Sequence, residues 1–191
     1  MTIGSKNARF YGAHGIPNER MVLTPYCVDN ESFLAARQAD PGMGERTRKG
    51  LGIGLADPVI LFVGKLIERK RPADLLRAYE SLLADHPRAA LILVGDGDQR
   101  ASLEAEVKRR GLDRVHFPGF KNRTEISQYY ACADVFVLPS MHDPWGLVIN
   151  EAMCFSLPII ASSLVGSVDD LVREAADPLV DYPDPAGLPA L

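Results

Sequence analysis

The chain has 191 residues, 47% of them hydrophobic, and a formal charge of -4, which fits one folded domain able to bury roughly 70% of its unfolded surface. That acidic balance excludes a general binder of nucleic acid or of anionic membrane surfaces, because both need a net positive face. No stretch approaches the roughly 20 apolar residues that span a bilayer, and Met1 to Lys6 contains no apolar signal core, so a cytoplasmic location is expected.

Cys27, Cys132 and Cys154 are far apart and in no metal-ligand spacing, which predicts three buried free thiols and no metal site. In residues 1–58, Met21, Val22 and Leu23 predict a strand before Thr24 and Pro25. Residues 42–54 read as a linker carrying a short basic helix.

From residue 59 short apolar runs alternate with amphipathic ones, as in repeated strand–helix units around a parallel sheet. Residues 59–64 form the first predicted strand. Pro72 opens a helix in which Leu75, Leu76, Tyr79, Leu82 and Leu83 recur at helical spacing, and His86 and Pro87 end it. A strand over 90–95 follows, then a charged helix over 99–110 closed by Gly111, and a short strand over 115–117. A helix from Thr124, with Glu125 in its first turn, leads to a strand over 134–138 that stops at Pro139. Residues 146–155 predict a helix and 158–161 the last strand. Asp169 and Asp170 are expected to cap a helix ending at Leu171, Val172 and Arg173, and the prolines at 178, 183, 185 and 189 preclude one continuous helix there.

In an open parallel sheet, ligands bind beyond the carboxyl ends of the strands. After the first strand, Gly64, Lys65, Glu68, Arg69, Lys70 and Arg71 place four of the chain's 21 Lys and Arg residues in seven positions. This is either an anion site, with Lys65 and Lys70 reaching phosphate oxygens, or a solvated basic turn. Gly95 and Asp96, followed by Gly97, make a tight turn without the G-x-G-x-x-G continuation of dinucleotide-binding oxidoreductases or the phosphate-loop lysine. After the third strand, backbone beside Gly119 is placed to meet a base edge, with Phe120 either at the base or in the core and Lys121 next to it.

The loop after the fourth strand carries the most information. A helix opened at Gly146 would point the N–H groups of Gly146, Leu147 and Val148 outward at its positive dipole end, which suits a pyrophosphate. Asp143 and Glu151 can face the same cleft, because the Glu151 side chain tilts back toward the helix start. They are the candidate catalytic carboxylates, with ordinary helix-start acidic residues as the alternative. His142 reads as a solvated neighbour, and Trp145 either walls the pocket or anchors the loop.

Together these motifs resemble the C-terminal domain of glycosyltransferase family 4, the group 1 glycosyltransferases. The resemblance runs from Gly4 to Asn7 and Val22 to Asp29, through Phe62 to Lys65 and Val94 to Gly97, to Pro158 to Ser162. Its most specific part is an acidic residue, seven intervening residues, then Glu151, Ala152 and Met153. It implies an α/β fold, the Rossmann-like nucleotide-sugar-binding lobe of a GT-B enzyme, and sugar transfer with retention and no metal or other cofactor. It also implies that Lys65, Lys70 and the helix start hold the leaving diphosphate, Glu151 the ribose hydroxyls and Asp143 the donor sugar, with the base near Gly119 and Lys121. Asp143 stands where glutamate is more usual, Lys65 where arginine is common, and Ser156 where glycine is common.

By that resemblance residues 1–191 form a single donor-binding domain. Its partners would be the nucleotide-sugar donor and an N-terminal acceptor lobe that the length does not accommodate, and the last helices would be cut short. Membrane association would belong to the longer protein, and nucleic acid is not an expected partner. The alternatives are another GT-B nucleotide-sugar enzyme of epimerase or phosphorylase type, and an inactive nucleotide-binding domain.

Overall fold

The computed structural model describes residues 1–172 and the backbone of 179–180. Among these residues the chain forms one parallel sheet in the order β3-β2-β1-β4-β5-β6. Its strands are β1 (Val59–Val63), β2 (Ala90–Val94), β3 (Val115–Gly119), β4 (Val135–Leu138), β5 (Ile159–Ser162) and β6 (Leu179–Val180). Every residue of β1 and β2 is buried, because helices cover both faces of a parallel sheet and its central strands become continuous apolar runs.

The helices also follow from local chemistry. They are α1 (Ser5–Ala13), α2 (Asn30–Ala39), α3 (Met43–Gly50), α4 (Pro72–Leu82), α5 (Arg100–Arg110), α6 (Arg123–Cys132) and α7 (Leu147–Cys154). Pro72 sits in the first turn of α4, which buries Leu75, Leu76 and Tyr79. Lys108, Arg109 and Arg110 fill the last turn of α5, where the dipole favours cations, and Gly111 closes it at φ 67°. Asn122 and Glu125 form a reciprocal capping box at the start of α6.

The strand order carries the positional consequence. From β1 the chain steps outward to β2 and β3, then returns past β1 to β4 and β5. Right-handed crossovers therefore put α4 and α5 on one face and α6 and α7 on the other. The second face is shared with α2, whose Phe33 ring meets Tyr130 of α6 edge-on at 6.4 Å and Phe155, just past α7, at 6.2 Å.

The N-terminal third departs most from expectation. The predicted strand at Met21 to Leu23 is reduced to one parallel bridge between Thr2 and Leu23, and Val22 and Leu23 are 61% and 63% exposed. Residues 42–54 are not a linker, because α3 packs on α6 through buried Arg48. Its guanidinium donates to the carbonyls of Cys132 at 2.8 Å and of Leu55 and Asp57 at 3.0 Å, and to Asp134 Oδ2 at 2.8 Å. That same Asp134 oxygen accepts the Val59 N–H at 2.8 Å. Arg48 thus ties α3 to the entrances of β1 and β4.

The expected helix of this segment is a short turn, Val168–Val172, with Asp169 and Asp170 in its first turn, but the carboxylates also reach across to α1. Asp170 accepts the Ser5 N–H at 3.0 and 3.1 Å and the Ser5 hydroxyl, while Asp169 pairs with Arg9. Asp170 receives the start of α1 from across the chain, where the helix dipole favours negative charge, and Asp169 holds the helix at its middle through Arg9. Cys132 and Cys154 are buried free thiols, but Cys27 is exposed. The proline-rich stretch beyond residue 180 and the expected helix end at Arg173 lie outside the described residues.

Ser156 has a positive φ of 58°, a left-handed conformation that glycine adopts without strain, and its Oγ accepts from Arg37 at 3.0 Å at an exposed site. Ser156→Gly is expected to raise stability by about 1 kcal/mol, or roughly 2–4 °C in thermal unfolding. A lower melting temperature would mean that the Arg37 bond outweighs the backbone strain. Arg48→Ala, which leaves three carbonyls without their donor, should cost about 2–3 kcal/mol by chemical denaturation.

Candidate functional site

The strand order reverses between β1 and β4, which pair in parallel through Ile60 with Val135 and Leu61 with Phe136. The chain leaving β1 runs to one face and the chain leaving β4 to the other, so their carboxyl ends open a crevice at the topological switch point. Two contacts stitch its walls together. Met141 N–H donates to the Arg69 carbonyl at 2.7 Å, and the Lys70 ammonium binds Asp143 Oδ2. The two side chains are only 14% and 10% exposed, so each depends on the other, and removing either would strand a charge away from water.

The start of α7 lies at the same point. Gly146 precedes it at φ 82°, and a Cβ there would come within 2.8 Å of Val165 Cγ1 and 3.6 Å of Asp143 Oδ2. Only glycine fits this turn, and the Lys70–Asp143 pair stands beside the helix N-terminus. Ile149 N–H turns back to the Gly146 carbonyl at 2.9 Å. The Leu147 and Val148 N–H groups, in the first turn, have no intrahelical acceptor. An ammonium group and a positive dipole end converge where an anion would be stabilised from two sides.

Glu151 sits on α7 four residues after Leu147. It forms no ion pair with Lys65 or Lys70 among the described residues. Instead its Oε2 accepts the Tyr130 hydroxyl of α6 at 2.6 Å. Burial pushes its carboxyl above the ordinary carboxylate range, while the Tyr130 hydrogen bond and the charge of Arg123 pull it back. The structure therefore joins Lys70, Asp143 and Gly146 directly and carries Glu151 one helical turn along the same element.

On the other side of β1, the strand ends form a backbone ledge. Gly95 N–H donates to the Gly119 carbonyl at 3.0 Å, and a Cβ on Gly95, at φ 140°, would lie 1.9 Å from the Gly64 carbonyl. Gly64, Gly95 and Gly119 are thus contiguous. The Asp96 carbonyl accepts Leu66 N–H at 2.9 Å, while its exposed carboxylate lies 3.5 Å from Arg100. Lys65 is exposed and makes no ion pair among the described residues. Lys121 lies 3.8 Å from Glu125.

Phe120 is 75% exposed and so is not core. His142 is exposed. Trp145 anchors the loop and does not wall the crevice, since it is buried with its Nε1 on Asn150 Oδ1 at 3.1 Å and its ring against Tyr26. Sequence reasoning missed Tyr130 and Lys6. Lys6 donates to the Ser163 carbonyl and, at 2.9 Å, to the Val165 carbonyl, bracing the segment bridged to Asp143. Neither left a local signal, because each acts on a residue distant in the chain. Among the described residues no three His, Cys, Asp or Glu side chains are grouped as metal ligands, and no helix is long and apolar enough to cross a membrane.

Comparison with known proteins agrees with this geometry. Residues 44–187 match the family model described as glycosyl transferases group 1. An uncharacterized glycosyltransferase of Methanocaldococcus jannaschii, MJ1607, is 35% identical over 137 residues, or 71% of this chain and 35% of that protein. Among solved structures, WaaG, a glycosyltransferase involved in lipopolysaccharide biosynthesis, superposes with a TM-score of 0.78 at 23% identity, covering 96% of this chain and 49% of WaaG. Anabaena HepE in complex with UDP and glucose superposes with a TM-score of 0.70 at 25% identity, covering 88% of this chain and 45% of HepE. The chain spans less than half the length of each of these proteins. With its α/β sheet in the form of one GT-B lobe, the chain belongs to the group 1 glycosyltransferases.

Proposed function

We propose that this chain is the donor-binding lobe of a retaining glycosyltransferase, which holds a nucleoside-diphosphate sugar and transfers the sugar when joined to an acceptor-binding lobe. The observation that carries the reading is the convergence of Lys70, Asp143 and the start of α7 at the β1–β4 switch point. A diphosphate against the Leu147 and Val148 N–H groups would share the Lys70 ammonium with Asp143 and draw in the exposed Lys65. As the bond to the sugar breaks, negative charge grows on the leaving diphosphate, and fixed donors at that point stabilise the transition state more than the ground state. In this reading the protein's own cations and amides do that work without a divalent metal.

The remaining roles follow from position. Asp143, freed in part from Lys70 by the arriving phosphate, faces the donor sugar and accepts its hydroxyls. Glu151 accepts the ribose diol. The Gly64, Gly95 and Gly119 ledge lets a nucleoside lie close to backbone, with exposed Phe120 and Lys121 beside the base. The UDP and glucose bound by HepE support a donor of this class. Retention is the stereochemistry that the family resemblance implies, and anomeric NMR of the product formed with an acceptor lobe present checks it.

Isothermal titration calorimetry with UDP, GDP and ADP in EDTA tests the donor site. At least one diphosphate is expected to bind, and Lys70→Ala to weaken it about tenfold or more, the loss of one shielded charge-assisted contact. No binding of any of the three, or binding indifferent to Lys70, would contradict the reading.

A further inference from the structure

Tyr130 is a buried phenol outside the donor crevice as so far described. It has no exposed surface, and its ring stacks on Phe155 at 5.5 Å and leans on Phe136 at 6.1 Å. Among the described residues its hydroxyl has one partner, Glu151 Oε2 at 2.6 Å. A buried hydroxyl needs a hydrogen bond, and this one is spent on a carboxylate while three aromatic neighbours fix its direction. On Glu151, Oε1 has no hydrogen-bond partner among the described residues. One carboxylate oxygen is held from within the fold and the other is left open.

We propose that Tyr130 is the positioning residue for Glu151, fixing its rotamer so that the open oxygen and the remaining lone pair of its neighbour accept a vicinal diol of the donor. The proposal rests on the reading of Glu151 as the ribose ligand. A carboxylate free to rotate would lose part of each diol contact to ordering, whereas one already fixed meets the ligand without that cost. Among the described residues the Tyr130 hydroxyl is hydrogen-bonded only to the carboxylate, and that bond favours the charged form over the protonated one.

The surroundings of Glu151 determine how pH enters. Arg123 at the start of α6 favours the carboxylate and is itself paired with Asp29, which caps α2. Cys154 of α7 lies close enough for its own thiol to be pushed up by Glu151 as well as by burial. Arg37 of α2 is turned to the Cys154 carbonyl at 3.3 Å and to Ser156. Burial already holds the Glu151 carboxyl above its ordinary range, and the phenol opposes that shift. Without the phenol the carboxyl takes up its proton at a higher pH, so affinity should begin to fall at a higher pH on acidification.

The test compares Tyr130→Phe and Glu151→Gln with the unaltered chain. Each is titrated with the tightest-binding of UDP, GDP and ADP, and with its 2′,3′-dideoxy counterpart, between pH 5 and 8. The phenylalanine keeps the ring packing, and thermal unfolding reports whether it folds. The expected result for Tyr130→Phe is about fivefold weaker binding of the ribonucleotide, with its acid fall-off moved to higher pH and the dideoxy ligand unaffected. Glu151→Gln should weaken the ribonucleotide further and reduce its fall-off to the one the dideoxy ligand shows, which comes from the terminal phosphate itself. If Glu151→Gln behaves so but Tyr130→Phe leaves ribonucleotide affinity and its pH profile unchanged, the positioning role is wrong and the reading of Glu151 stands. Equal weakening of both ligands by Tyr130→Phe would reduce its role to packing and also overturns the proposal. If Glu151→Gln changes neither ligand, the ribose assignment itself fails.

Discussion

The reversal of strand order between β1 and β4 is the constraint on which the rest of this structure depends. Once β2 and β3 lie on one side of β1 and β4 and β5 on the other, right-handed crossovers send the two central loops to opposite faces. A crevice opens between them whatever their sequences are. The sequence then fills that crevice with one ammonium group, one carboxylate and a helix start, and closes its base with the Met141 to Arg69 hydrogen bond. Topology makes the opening, and a few side chains give it a charge pattern.

That pattern is held by unlike means on its two sides. Toward β4 the loop is fixed by burial, with Trp145 in the core and Gly146 in a left-handed turn against Val165. Lys6 and the Ser5–Asp170 contact bring α1 down on the segment behind it. Toward β1 the polypeptide is more exposed, and Lys65 has no ion-pair partner among the described residues. Such a site has one rigid wall that sets geometry and one adaptable cation that can follow a ligand. Positioning by a packed scaffold, with reach supplied by a long side chain, is an economical way to hold a polyanion.

The elements from β1 to β5 were legible because their signals are local. Apolar runs of five residues marked β1 and β2, Pro72 and Gly111 marked helix ends, and Glu125 marked the start of α6. Gly146 as the opening of α7 was legible for the same reason, and with it the candidate anion site. The first third was not legible. Helix α1 buries none of its own residues, and α2 buries only Phe33, so neither shows a clear apolar stripe. The start of α1 is satisfied by Asp170, which local reading assigned to a cap of its own segment. Arg48 looked like part of a basic linker because its four acceptors are brought together only by folding. Tyr130 was missed in the same way, since its partner lies on another helix.

The central claim is that a nucleoside diphosphate rests at the β1–β4 switch point against the amino end of α7. Backbone amide NMR on titration with the tightest-binding diphosphate tests it most directly. The account predicts that the largest shifts fall on Gly146, Leu147 and Val148, with a second group at Gly64 and Lys65. Shifts confined to the opposite end of the sheet, with the α7 amides unmoved, would contradict it.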